Sequence, residues 1–246
     1  MNLINWSSSQ QQIFPIAYGV IIFISIFLGV LLRKKPEKVK NIPFIIITTI
    51  LLVLEVVKQA RAISAGSYSY WSVPLHFCST FLIWFSLASY FKGKVRTVGY
   101  HVSFVTALGF LFGFIIGPTT IIGGATDNLA FTYANFSNLH TFYYHFAVVL
   151  FFALQISLKM PYPTLKNIKS TAIPFFSWMI VASIMANLLN TNFSNLLTNN
   201  VVFMDNIRLN FGYPIYLISM FLVFFAIYSA ILAFTTLLQY IKRKIS

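Results

Sequence analysis

The stretch "YPIYLISMFLVFFAIYSAILAFTTLLQY", Tyr213 to Tyr240, contains no charged residue, and a segment of this kind restricts what the chain can fold into. A membrane-crossing helix needs about 20 mainly apolar residues, because the hydrocarbon core is about 30 Å thick and each residue rises about 1.5 Å. Runs of that length recur along the sequence. Seven spans are expected, at about 13–32, 43–60, 75–91, 98–117, 141–159, 171–189 and 214–240. The first, fourth and seventh are the clearest, being nearly free of charge; the second is the least clear, with Glu55, Lys58 and Arg61 at or near its end. The expected fold is all-α, a polytopic seven-transmembrane-helix bundle in which residues 1–246 make one integral membrane domain. Composition points the same way: 9% of residues are charged, against about 25% in soluble domains. The first apolar run has neither a basic n-region nor a small-residue cleavage site and is expected to be a retained helix.

Charge sets the expected orientation. The connections Arg33 to Lys40, Lys92 to Arg96 and Lys159 to Lys169 and the tail Lys242 to Lys244 together hold 14 Lys and Arg, whereas the other side holds only Lys58, Arg61 and Arg208. By the positive-inside bias the N-terminus lies outside and the C-terminus in the cytoplasm, as an odd number of spans requires. The same bias explains the net charge of +13 without nucleic acid, which is not an expected partner. Membrane lipids are. The outer connections Gly117 to Leu139 and Asn190 to Tyr213 are long and rich in Gly, Asn, Thr and aromatics, and they are expected to fold back onto the outer mouth of the bundle. Richness in Asn, Ile, Lys and Phe suggests an A+T-rich genome, hence the cell membrane of a low-GC bacterium. One cysteine excludes an internal disulfide framework and a multi-cysteine metal site, and no cofactor or metal is expected.

On this topology the polar residues converge. Glu55 and Lys58 close the second span, His76 and Cys78 open the third, His140 and His145 open the fifth, Asn187 and Asn190 close the sixth, and Tyr213, Pro214 and Tyr216 open the seventh. All fall at one level in the outer leaflet; only His101, at the inner start of the fourth span, stands apart. Each has an ordinary explanation when taken alone. A lone Cys is often a small buried filler, Glu55 with Lys58 makes a local ion pair, Asn187 and Asn190 can bond neighbouring helices, and His140 can simply face headgroups. Their convergence at membrane depth is what makes them candidates for function.

Nucleophilic acyl transfer is the chemistry such a set permits. A thiolate attacks, and an imidazole generates it and later protonates the leaving group. On a helix His76 projects about 200° from Cys78 and is poorly placed as its base. A histidine from another helix serves better: His145 is the first choice and His140 the alternative. Thr141, one turn before His145, could orient it or act as a hydroxyl nucleophile; Glu55 or Asn187 could orient the imidazole; Asn190 could donate to an oxyanion. Pro74 is expected in the first turn of the third helix. A retinal protein is excluded by the lack of Lys between Phe211 and Tyr240. Gly-x-Ser-x-Gly, His-Glu-x-x-His and Gly-rich phosphate loops are missing as well. The competing class is a non-catalytic membrane protein, a small-solute transporter or a partner subunit, whose cavity or interface the same polar cluster lines.

Four elements carry a family resemblance. "VPLHFCS" at Val73 to Ser79 resembles the Leu-Pro-Leu-x-x-Cys element of YwaF-like bacterial integral membrane proteins, with Val73 where Leu is usual. "NLHTFYYHFAVVL" at Asn138 to Leu150 resembles that family's aromatic stretch leading to a histidine. "ANLLNTNF" at Ala186 to Phe193 and "FGYPIYL" at Phe211 to Leu217 are similar to its Asn-rich sixth-helix end and the Pro-x-Tyr start of its last helix. YwaF-like proteins resemble in turn the eukaryotic transmembrane protein 164 family of lipid acyltransferases and, more distantly, the androgen-induced membrane hydrolases. The resemblance implies a lipid acyl group as substrate, a phospholipid or related ester, with Cys78 as nucleophile and His145 as base.

Overall fold

A computed structural model describes residues 8–116, 136–199 and 201–245, and every regular element among them is helical. These elements are α1 (Ser8–Leu32), α2 (Glu37–Lys40), α3 (Ile42–Ser64), α4 (Phe81–Tyr90), α5 (Gly93–Ile116), α6 (Phe136–Ser157), α7 (Ile168–Leu188), α8 (Val202–Phe211) and α9 (Tyr213–Ile245), joined in places by single 3-10 turns. Among the described residues, three stretches are long and apolar enough to cross a bilayer: Glu37–Ser64, Leu165–Leu188 and Tyr213–Ile241. Ile16–Leu32 and Cys78–Tyr90 are shorter apolar helices. On α1, Val20, Phe23, Ile26 and Val30 are all at least half exposed, as are Ile218, Leu222 and Phe234 to similar degrees on α9. Helices that turn apolar side chains outward while satisfying their own backbone are suited to lipid.

Two expectations are corrected here. The apolar run predicts a third span at 75–91 with Pro74 in its first turn, but α4 begins only at Phe81. Val73 is extended, as the residue before a proline tends to be, and Leu75 N–H turns back to the Val73 carbonyl at 2.7 Å. Cys78 to Thr80 then form a 3-10 turn. With that turn the helical stretch is about 21 Å long, well short of a bilayer core. The connection from Asn190 to Tyr213 also holds a helix, α8, which the Asn-rich composition hides. Met204 of α8 packs on Tyr216 and Met220 of α9, with Ile207 beside it. Of the other long connection, 117–135 lies outside the described residues, and Phe136 to Leu139 already belong to α6.

The chain separates into two compact units. One comprises, among the described residues, 8–66, 81–116 and 136–162. Its core is aromatic: Phe85 and Phe151 stack with centroids 3.7 Å apart, and Phe44 meets Phe151 and Tyr100 edge-on at 4.7 and 5.3 Å. Helices α4 and α5 turn sharply on Gly93, whose φ of 62° suits a residue without a Cβ. They then pack so closely that a Cβ on Gly99 would strike the backbone nitrogen of Ala88 and stand 2.7 Å from the Leu87 carbonyl carbon. Buried polar groups tie the unit next to this close approach. Asn41 Nδ2 donates to the Ser89 carbonyl at 2.7 Å, Tyr100 OH donates to Asn41 Oδ1 at 2.8 Å, and Gln155 Nε2 donates to the Tyr100 carbonyl at 3.0 Å. Arg96 adds an ion pair to Glu37 at 2.9 Å.

The other unit comprises 67–80 and 163–245. Here α7, which contains Pro174, lies against α9 through Phe175 and Tyr228, stacked at 5.4 Å, and through Phe176 and Phe221 at 5.9 Å. Thr164 and Asn167 form a reciprocal capping box that starts the turn before α7. The segment before α4 is held by Phe77, whose ring meets Phe175 and Phe224 at 6.1 and 6.0 Å.

Candidate functional site

In the first unit the polar cluster is built on α3 and α6. Glu55 faces inward from α3 and is 7% exposed. A carboxylate in such a place needs partners, because burying an uncompensated charge costs several kcal/mol. Its own helix supplies two: Lys58 Nζ at 2.7 Å and Gln59 Nε2 at 2.6 Å, both on Oε1. The spacings of three and four residues put all three side chains on one face. The other carboxylate oxygen belongs to a different helix. His140 Nε2 of α6 stands 3.2 Å from Oε2, near the carboxylate without an aligned hydrogen bond.

His140 is buried among rings. Phe136, one turn earlier on α6, and Tyr144, one turn later, lie 6.4 and 5.4 Å away by ring centroids. His145 is also buried, but five residues further along a helix is a rotation of about 140°, so it faces α5 instead, with its ring 5.0 Å from that of Phe110. Its Nδ1 is buried with no hydrogen-bond partner among the described residues. Glu55 therefore pairs with His140 and not with His145. Thr141 is half-buried beside them on α6, and His101 is buried in α5.

In the second unit Cys78 is half-buried and opens the 3-10 turn that leads into α4. Because 76–78 is not α-helical, the angle expected between His76 and Cys78 does not apply. His76 instead packs between Trp71, 4.2 Å away by centroids, and Phe193, 5.2 Å away, with Nε2 3.2 Å from the Trp71 carbonyl oxygen. The loop carrying Phe193 is tightly wound: Asn190, Ser194 and Asn195 all have positive φ, and Tyr216 OH donates to the Asn195 carbonyl. Asn192 Oδ1 accepts from the backbone N–H groups of Leu197 and Thr198 at 2.9 and 3.2 Å. Asn187 Nδ2 donates to Tyr213 OH at 2.7 Å and to the Ser183 carbonyl at 2.8 Å. Asn190 is exposed at the end of α7.

The pairing of Glu55 with Lys58 is legible from their spacing, whereas Gln59 and Phe136 join the cluster unannounced, although each sits one helical turn from Glu55 or His140. Phe193 is fully buried within a polar loop, and nothing in the sequence marks it. Chemically, the first unit offers a buried carboxylate beside a ring nitrogen of an imidazole in an apolar, aromatic setting.

A model of the TMEM164 family matches residues 6–232. No curated protein and no solved structure matches the chain.

Proposed function

Because the chain belongs to the TMEM164 family, and the resemblance carried by its Cys78 element implies lipid acyl chemistry, we propose that it is a membrane-embedded lipid acyltransferase or acyl-ester hydrolase. The observation that carries this proposal is the buried Glu55–His140 pair. Charged groups at membrane depth are costly, and a carboxylate set against an imidazole is the arrangement that orients a general base. Cys78 is the proposed nucleophile. Its Sγ proton passes to the imidazole, the thiolate forms a bond to the acyl carbonyl carbon, and the ester C–O bond breaks as the imidazolium protonates the leaving alcohol. In the second half a hydroxyl of a lyso-lipid, or water, gives up its proton to the imidazole and attacks the thioester, releasing Sγ. His140 takes the base role ahead of His145, since Glu55 is paired with His140. Thr141, His76, Asn187, Asn190 and Tyr216 support the segments that bear these groups.

We propose in addition the finer topology of seven spans, the N-terminus outside, and the reactive groups toward the outer leaflet of a bacterial plasma membrane. Intact and peptide mass spectrometry of the purified protein, incubated with native lipid extract, tests the chemistry. A hydroxylamine-sensitive acyl adduct on Cys78, lost or greatly slowed in His140→Ala and little altered in His145→Ala, is expected. No adduct, together with a Cys78 that reacts slowly with a thiol reagent, would sink the cysteine mechanism and leave the non-catalytic class in its place.

A further inference from the structure

Helix α8 turns an apolar surface outward. Val202 and Phe203 at its start and Leu209 and Phe211 near its end are 63–73% exposed, and Val201 just before it is 59% exposed. Water is a poor neighbour for such a surface. The geometry of the second unit fixes where it stands. Gly212, with a φ of 85°, is the one residue between α8 and α9, whereas Met204 near the start of α8 packs on Tyr216 and Met220, one and two turns into α9. The two helices therefore fold back on each other as a hairpin, with the start of α8 level with Met220. Asn199 lies at that level too, its Nδ2 donating to Met220 Sδ at 3.3 Å. The depth of that level follows from the length of α9. Its apolar stretch Tyr213–Ile241 has 29 residues, about 43 Å at the rise of an α-helix, against about 30 Å of hydrocarbon. The basic run Lys242 to Lys244 holds the far end among headgroups, so a core of about 20 residues counted back from Ile241 ends near Phe221. Tyr213 to Met220 thus rise through the headgroup layer, and α8 lies beside them.

We propose that α8 is a re-entrant interfacial helix docked in the surface of the bilayer: Val201, Val202 and Phe203 enter the acyl boundary, while the turns bearing Asn206 and Asn210 lie among headgroups. The order of residues along the helix fits this depth gradient. Its outward side is wholly apolar over 201–203 and becomes mixed from Asn206 onward, where Asn206 and Asn210 are exposed beside Leu209. The two charges of α8 cancel within it, Arg208 Nε meeting Asp205 Oδ1 at 2.8 Å, so the segment brings no net charge to the interface. On α9, Ile215 and Ile218 are exposed at the same level, and they continue into the surface that α9 turns to lipid. Lipid, rather than a second copy, is therefore the neighbour that this geometry supplies. Docking has a consequence for the preceding loop. Tyr216 OH donates to the Asn195 carbonyl, and Phe193 of that loop packs on His76, two residues from Cys78. An anchored α8 holds this segment at one depth, whether or not Cys78 carries out the chemistry proposed above.

The test uses the full-length Cys78→Ala protein in phosphatidylcholine vesicles, with one introduced cysteine at a time carrying an environment-sensitive nitrobenzoxadiazole label. Phe203→Cys is the diagnostic position, Ile227→Cys on the exposed side of α9 the deep reference, and Lys244→Cys the aqueous one. With iodide on both sides of the membrane, the label at Phe203→Cys is expected to be quenched about threefold less than at Lys244→Cys, and Asn210→Cys to fall between. Lipids with a nitroxide near the carbonyl end of the acyl chain should quench Phe203→Cys more strongly than either Asn210→Cys or Lys244→Cys. Val202→Cys repeats the measurement if Phe203→Cys fails to fold. Free access of iodide without quenching by nitroxide lipids would place α8 in water and overturn the proposal. Shielding from both quenchers overturns it as well, because a second copy or another protein then covers the surface. Quenching by a mid-chain nitroxide as strong as at Ile227→Cys would sink α8 into the hydrocarbon core and refute an interfacial depth. Loss of the acyl adduct on Cys78 in the unmutated protein would bear on the chemistry alone and leave this docking in place.

Discussion

Glu55 is the residue at which local and long-range structure meet. Two of its partners, Lys58 and Gln59, are on its own helix and are legible from spacing; the third, His140, comes from α6. Replacing Glu55 by Gln keeps the shape and removes the charge that pairs with Lys58 and faces His140. Lys58 is partly exposed and can turn its ammonium outward, so the expected loss of stability is modest, about 1–2 kcal/mol, read as a lower thermal midpoint in detergent. Acylation of Cys78 should fall much further, because His140 loses the group that orients it. Normal acylation in Glu55→Gln would remove Glu55 from the machinery. The sequence alone could name two histidines of the fifth span, but it could not choose between them. Both lie in the same apolar, aromatic stretch, and only the direction in which α6 faces α3 and α5 separates their roles.

Among the elements, α4 and α5 depend most on one position. Their separation leaves no room at Gly99 for a side chain, since the atoms it would meet are backbone and cannot rotate away. Gly99→Ala should therefore force the two helices apart and cost about 1–3 kcal/mol or more. A lower thermal midpoint or loss of folded protein on size exclusion is the expected readout; unaltered stability would mean that the helices do not approach this closely. Close approach through small residues is a recurrent device where lipid offers no hydrophobic drive to helix association. Gly99 gives no warning of this in a hydropathy pattern. The same limit applies to α4 itself: an apolar run marks where a helix is permitted, whereas Pro74 and the turn at Cys78 decide where it starts. In α8 the error was the reverse, since asparagines at 206 and 210 obscured an apolar face that only Met204 against α9 makes plain.

At the scale of the whole molecule the charge distribution makes a prediction that needs no side-chain detail. In a Cys78→Ala background, a cysteine placed at Tyr70 should react with an impermeant maleimide in intact cells, and one placed at Lys38 or Lys94 only after the membrane is opened. The opposite pattern would reverse the proposed orientation. The sequence by itself determined the solvent of this protein and its helical class, because hydropathy acts on each segment independently of its neighbours. The tertiary structure decided which imidazole Glu55 pairs with, how near α5 stands to α4, and that Arg61 reaches Phe136. Those are relations between segments distant along the chain, fixed by packing that no local pattern encodes.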